Sequence, residues 1–132
     1  MSGRIRKRSP ALWEAYFFKG EPSNHAIVTT LGKAGIGICF DNQKAVVAAA
    51  MSRQPVDIAL MPHSTPVPSA TTGIFTKEKM TQTLETIAPL YASLLGVPVV
   101  LANKCGPWLS PLPGPQLVKQ SGSFLPGTLD HH

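Results

Sequence analysis

Residues 35–42 read GIGICFDN, an apolar run that carries one cysteine, Cys39, to what reads as a strand end, with Asp41 and Asn42 directly behind it. That is a place where a thiol nucleophile is presented. Working outward, residues 26–30 (AIVTT) and 33–40 (KAGIGICF) are apolar and partly β-branched, with Leu31 and Gly32 between them. This pattern predicts a hairpin whose second strand is central and feeds the cysteine. Asn42 is placed to cap a helix running to about Arg53, with Val46, Val47, Ala50 and Met51 on one face and Pro55 ending it. Residues 56–61 (VDIALM) form the next short buried strand, and PHSTPVPSATTG at 62–73 reads as a long loop.

A second helix starts near Lys77, where Met80, Leu84, Ile87, Tyr91 and Leu94 keep helical spacing. Pro89 predicts a kink in it and Gly96 its end, before a further strand at 97–102. Alternation of strands and helices favours an α/β sheet with helical cover on at least one face. From Lys104 onward, five prolines and four glycines in 29 residues read as loop or tail.

The composition narrows the function classes. With 43% hydrophobic and 14% charged residues the chain is globular, and it has no apolar run near the roughly 18 residues of a membrane span. The basic N-terminal segment is followed by Trp13 to Phe18 with Glu14 among them, which does not read as a secretory leader. Arg4, Arg6, Lys7 and Arg8 carry four of the net +5 charges, so the basicity is local rather than spread along a nucleic-acid footprint. Cys39 and Cys105 are the only cysteines and read as reduced thiols of a cytoplasmic protein. His25, His63, His131 and His132 show no metal-ligand spacing.

One ordered set of short motifs spans the chain: RK at Arg6 and Lys7, WE at Trp13 and Glu14, GICFDN around Cys39, and Ala102, Asn103 and Gly106 in ANKCG. Together they resemble the carbon-nitrogen hydrolase, or nitrilase, superfamily over about residues 3–127. The resemblance implies part of an α-β-β-α sandwich within residues 1–127, followed by a Pro- and Gly-rich stretch at 104–132. It also implies that this chain lacks the domain's N-terminal and C-terminal parts, among them the upstream glutamate that serves such enzymes as general base.

What the resemblance implies chemically is hydrolysis of an amide, carbamoyl or nitrile carbon-nitrogen bond through a cysteine thioester. Cys39 is then the nucleophile, Lys7 the cation that steadies the tetrahedral intermediate, and Glu14 the carboxylate that positions lysine and substrate. The Phe40 N–H follows the nucleophile and is the expected oxyanion donor, a role worth about 3 kcal/mol. Asp41, His63 and Asn103 are expected at the pocket wall, and Asn42 is a further candidate there. Phe40 and Asp41 after the cysteine look more like the amidase and carbamoylase branches than the nitrile branch. No metal or organic cofactor is implied, and the partners expected are a small amide or nitrile substrate, no nucleic acid, no membrane, and a second copy of the chain.

Each residue also has an ordinary reading. A cysteine in an apolar run commonly fills a core, a lysine among arginines commonly belongs to a solvated basic tail, and Asp41 and Asn42 make an adequate helix cap. A Cys39–His63 dyad is the rival catalytic reading. A non-catalytic, nitrilase-like interaction module is the rival function.

Overall fold

The computed structural model describes residues 3–68, 76–103, 106–109 and 128–131. Expectations on residues 69–75, Lys104, Cys105, the part of the tail at 110–127 and His132 lie outside them. Two compact units are present, Met1–His63 with Ile87–Ala102, and Ser64–Thr86 with Asn103–His132.

The first unit is built on a hairpin of β1 (Ala26–Thr29) and β2 (Gly32–Ile36), with Ala26 opposite Gly35 and Thr29 opposite Gly32. Its turn is braced by one side chain: Thr29 Oγ1 donates to Gly32 O at 2.7 Å and accepts from Leu31 N at 3.1 Å. β2 then pairs in parallel with β3 (Ile58–His63), with Gly35 beside Ala59 and Ile36 beside Leu60. β5 (Val99–Asn103) follows β3 in the mixed sheet, whose order is β1-β2-β3-β5. The central place expected for the second strand is therefore the one it occupies.

Alternation along β3 buries Ala59, Met61 and His63 on one face while Pro62 is exposed. On that face Met61 meets Val47 and Met51 of α1 (Ala45–Ser52) and Ile87 and Tyr91 of α2 (Lys77–Leu95), with Ala48, Leu95, Val99 and Leu101 packed around them. Each such side chain contributes roughly 1.5–3 kcal/mol on burial. Not every helical position expected inward is buried: Val46 and Leu94 are exposed. α2 passes through Pro89 and stops at Gly96, whose φ of 68° is the left-handed cap that glycine allows.

The structure differs from the sequence reading at both sides of the cysteine. β2 ends at Ile36, and Cys39 opens a 3-10 turn, Cys39–Gln43, instead of ending a strand. α1 begins only at Ala45, with Lys44 at its N-cap and no side-chain cap, so Asn42 does not start it.

In the second unit, β7 (Thr128–His131) lies between β4 (Pro66–Pro68) and β6 (Gly106–Leu109), antiparallel to both. Regular strands thus occur where the sequence reads as loop at 62–73 and as tail beyond 104. Proline is tolerated because Pro66, Pro68 and Pro107 sit on the two outer strands, where a missing N–H costs no ladder bond on the solvent side.

Candidate functional site around Cys39

The turn that begins at Cys39 is locally costly and externally held. Cys39 has φ 53°, a left-handed conformation costing a non-glycine residue roughly 1–2 kcal/mol. It is a thiol and is half-buried. Three attachments secure the turn around it. Asp41 N donates to Ile38 O at 3.1 Å, Lys44 N donates to Asp41 O at 2.9 Å, and Gly37 N donates to Leu60 O at 3.1 Å, which carries the β2–β3 pairing one step beyond the strand.

Asp41 makes the most consequential contacts. Its fully buried carboxylate accepts Arg8 N at 3.0 Å on Oδ2 and Ser9 N at 2.7 Å on Oδ1. A short acidic side chain two residues after the cysteine therefore grips the backbone directly after Lys7. Lys7 and Cys39 each lie within two residues of this clamp, and the Lys7 ammonium pairs with Glu14 Oε2. Glu14 is held in turn by its own 3-10 helix, Leu12–Tyr16, where Oε2 accepts Ala11 N at 2.7 Å and Glu14 N donates to Ala11 O at 2.8 Å. The pair is partly shielded, with side chains 22% and 34% exposed, whereas the neighbouring Arg6–Glu21 pair is 57% and 53% exposed. Only the former is screened little enough to act as a fixed charge.

Phe40, as the second residue of the turn, presents an N–H that the turn does not itself use. Its ring lies 4.0 Å from the Lys44 ammonium.

Asn42 and His63 complete the first unit's cluster. Asn42 is buried, and its Nδ2 lies 2.9 Å from Gly37 O and 2.9 Å from His63 Nε2. A carbonyl oxygen only accepts, so the atom facing it is the amide nitrogen, and His63 Nε2 must then be the unprotonated, accepting ring nitrogen. His63 is neutral with its proton on Nδ1. Burial first, and the positive charge of Lys7 second, hold its pKa below the usual imidazole value. Gly37 is required here, because a Cβ on it would come within 1.8 Å of Asn42 Oδ1. Tyr91 reaches the same region electrically: burial, then the Asp41 charge, push its hydroxyl up to about 12.

Lys7, Glu14, Cys39, Phe40, Asp41 and His63 all belong to the first unit. Asp41 is turned to the Arg8–Ser9 backbone and not to a helix start. His63 Nε2 is committed to Asn42. Asn103 belongs to the second unit, where its amide grips Thr65 from both sides, accepting Thr65 N at 2.9 Å and donating to Thr65 O at 3.3 Å. The sequence reading admits Asn42 to the pocket wall but favours it as a helix cap, because its partner His63 lies 21 positions away. Among the described residues no three His, Cys, Asp or Glu side chains gather as a metal site, and no helix is long and apolar enough to cross a membrane.

No protein-family model matches this chain, and no curated protein matches it. Among solved structures, a carbon-nitrogen hydrolase from Helicobacter pylori G27 is similar in fold, with TM-score 0.68 and 24% sequence identity. The match covers 92% of this chain and 39% of that one. The chain therefore has the α/β fold of part of a carbon-nitrogen hydrolase domain, and it spans about two-fifths of that hydrolase's length.

Proposed function

We propose that the chain carries the nucleophile half of a cysteine-dependent hydrolase acting on amide, carbamoyl or nitrile carbon-nitrogen bonds. The observation that carries this reading is the Asp41 clamp, which ties the Lys7–Glu14 pair to the strained turn bearing Cys39. The fold similarity supports it.

In this reading the Cys39 sulfur attacks the substrate carbon and forms a carbon-sulfur bond. For an amide, the carbonyl oxygen takes the negative charge and is met in this reading by the Lys7 ammonium and the Phe40 N–H, donors of the kind that stabilise such an oxyanion. The carbon-nitrogen bond then breaks, and ammonia or an amine departs carrying the proton that the Cys39 thiol gave up, leaving a thioester. Water adds to the thioester, the carbon-sulfur bond breaks, and the acid leaves with the Cys39 thiol restored. Glu14 keeps Lys7 directed at the oxygen. A chemistry that needs a reduced thiol favours a cytoplasmic setting.

The test is ammonia release from a panel of small amides, carbamoyl amino acids and nitriles, with Cys39→Ala as control. Turnover that disappears in the variant supports the reading, and no turnover from a folded protein sinks the claim that this chain is an enzyme by itself. One observation favours the rival, an interaction module without catalysis. Tyr16, Phe17 and Phe18, which follow Glu14 and Ala15, are 86%, 68% and 66% exposed, an apolar run suited to covering by another chain. Loss of solvent accessibility at these three residues on mixing with a partner, in a protein without turnover, is the result that reading expects.

A further inference from the structure

The hydrolase reading uses Cys39, Lys7 and Glu14 and leaves unexplained why a buried asparagine and a buried histidine sit behind the nucleophile's turn. Their geometry gives a reason. Asn42 Nδ2 divides its two protons between Gly37 O, two residues before Cys39, and His63 Nε2 on β3. Gly37 is fixed from its other side by its N–H on Leu60 O. The amide of Asn42 thus links the entry of the Cys39 turn to the sheet, and its orientation depends on an acceptor at His63 Nε2.

Protonation of His63 removes that acceptor and sets two donors 2.9 Å apart. Asn42 must then rotate or withdraw, and either movement disturbs its bond to Gly37. The alternative of flipping the amide would place Oδ1 against the Gly37 carbonyl, oxygen against oxygen. We propose that Asn42 and His63 form a positioning relay for Cys39, intact while the imidazole is neutral and broken when it is protonated. Among the described residues of the first unit, the titratable and charged groups around this turn stand on the turn itself and on neighbouring elements. Lys7, paired with Glu14, stands on the N-terminal segment; Cys39 and Asp41 stand on the turn and Lys44 at its end, over the Phe40 ring; Tyr91 stands on α2. Of these, Lys7 opposes a second positive charge on His63, and Asp41 is committed to the Arg8 and Ser9 amides.

The relay takes its catalytic meaning from the hydrolase reading but is measured without it. The probe is 2,2′-dithiodipyridine, which reacts with thiols in acid as well as at neutral pH. Its rate at Cys39 is followed by peptide mass spectrometry from pH 8 to 4.5 in the full chain and in His63→Gln. Glutamine offers Asn42 a carbonyl oxygen that does not titrate, so the variant serves as the non-switching reference.

The expected result is a wild-type to His63→Gln rate ratio that is constant above pH 7 and changes by about threefold to tenfold as the ring shifts show His63 becoming protonated, the span of one ordinary hydrogen bond. His63→Phe, which has no acceptor, is expected at the acid-side value at every pH. Nitrogen chemical shifts of the ring are expected to show the Nδ1–H tautomer at pH 7.5. A ratio that stays flat while the ring shifts show His63 protonating overturns the relay, as does a ring that stays neutral to the pH at which the chain unfolds, an Nε2–H tautomer, or wild-type behaviour in His63→Phe. If no substrate of the panel yields ammonia while the ratio still changes, the relay stands and only the hydrolase reading falls.

Discussion

Two corners of the first unit hold a side chain in the left-handed backbone region that usually belongs to glycine: His25 at φ 55° and Cys39 at φ 53°. The strain is the same and the use of it is not. His25 is fully buried, donates its N–H to Ser23 Oγ at 3.2 Å, receives Ile36 N on its carbonyl at 2.7 Å, and has Nδ1 3.0 Å from Ile36 O. Everything on that residue except Nε2 closes the β1–β2 hairpin. Cys39 is half-buried, and the bonds around it hold the neighbours while the sulfur stands at the turn's opening residue. Backbone strain is therefore no mark of function by itself. What separates the corners is that His25 is fully buried, whereas Cys39 is half-buried on a turn that Asp41 ties to the backbone next to Lys7.

The sharpest way to break this comparison is to put glycine at the Cys39 corner. Cys39→Gly removes the sulfur and the strain together, so turnover is expected to fall by at least about 10³-fold while stability to urea stays equal or rises by roughly 1 kcal/mol. A clear loss of stability would mean that Cys39 is a core residue after all. Asp41→Asn comes next. Asparagine can accept only one of the two amide bonds from Arg8 and Ser9 and turns a donor toward the other. The expected cost is about 2–3 kcal/mol of stability, with at least a tenfold fall in kcat as Lys7 loses its place relative to Cys39. Unchanged turnover in a folded Asp41→Asn protein would remove the clamp from the site. His25→Ala is expected to cost a comparable or slightly smaller 2–3 kcal/mol through the lost ring bond and the cavity, with kcat unchanged in the protein that remains folded.

How far these corners were legible beforehand follows from the range of the contacts. The hairpin, the central strand and α2 are written in local periodicity, and the apolar faces that encode them are the faces that pack. The start of α1 was misread because Asp41 and Asn42 look like caps to anything that sees only near neighbours. Their partners are Arg8 and Ser9, 33 and 32 positions away, and His63, 21 positions away. The strands at 106–109 and 128–131 escaped for a similar reason. Proline density signals loop locally, and only the pairing of β7 with residues 66–68 reveals that the prolines lie on outer strands. Lys7 and Glu14 were reachable because seven residues and one turn suffice to bring them together.

The smallest effect tests the least conspicuous member of the cluster. Tyr91 is 1% exposed, its hydroxyl has no hydrogen-bond partner among the described residues, and its pKa is raised from 10.0 to about 12 by burial and by Asp41. A raised acid pKa means that the folded state keeps the proton longer than the unfolded chain does. Stability is therefore complete below pH 10 and is lost between pH 10 and pH 12, by about 3 kcal/mol for this group alone. Tyr91→Phe removes the titrating proton without removing the ring from the core. Its urea midpoint at pH 7 is expected to change by less than about 1 kcal/mol in either direction, since a buried hydroxyl without a partner adds little. Its stability from pH 10 to 12 should then fall less steeply than that of the wild type. Parallel curves would show that the hydroxyl ionises as freely in the folded protein as in water, and that Asp41's charge is spent wholly on the Arg8 and Ser9 amides.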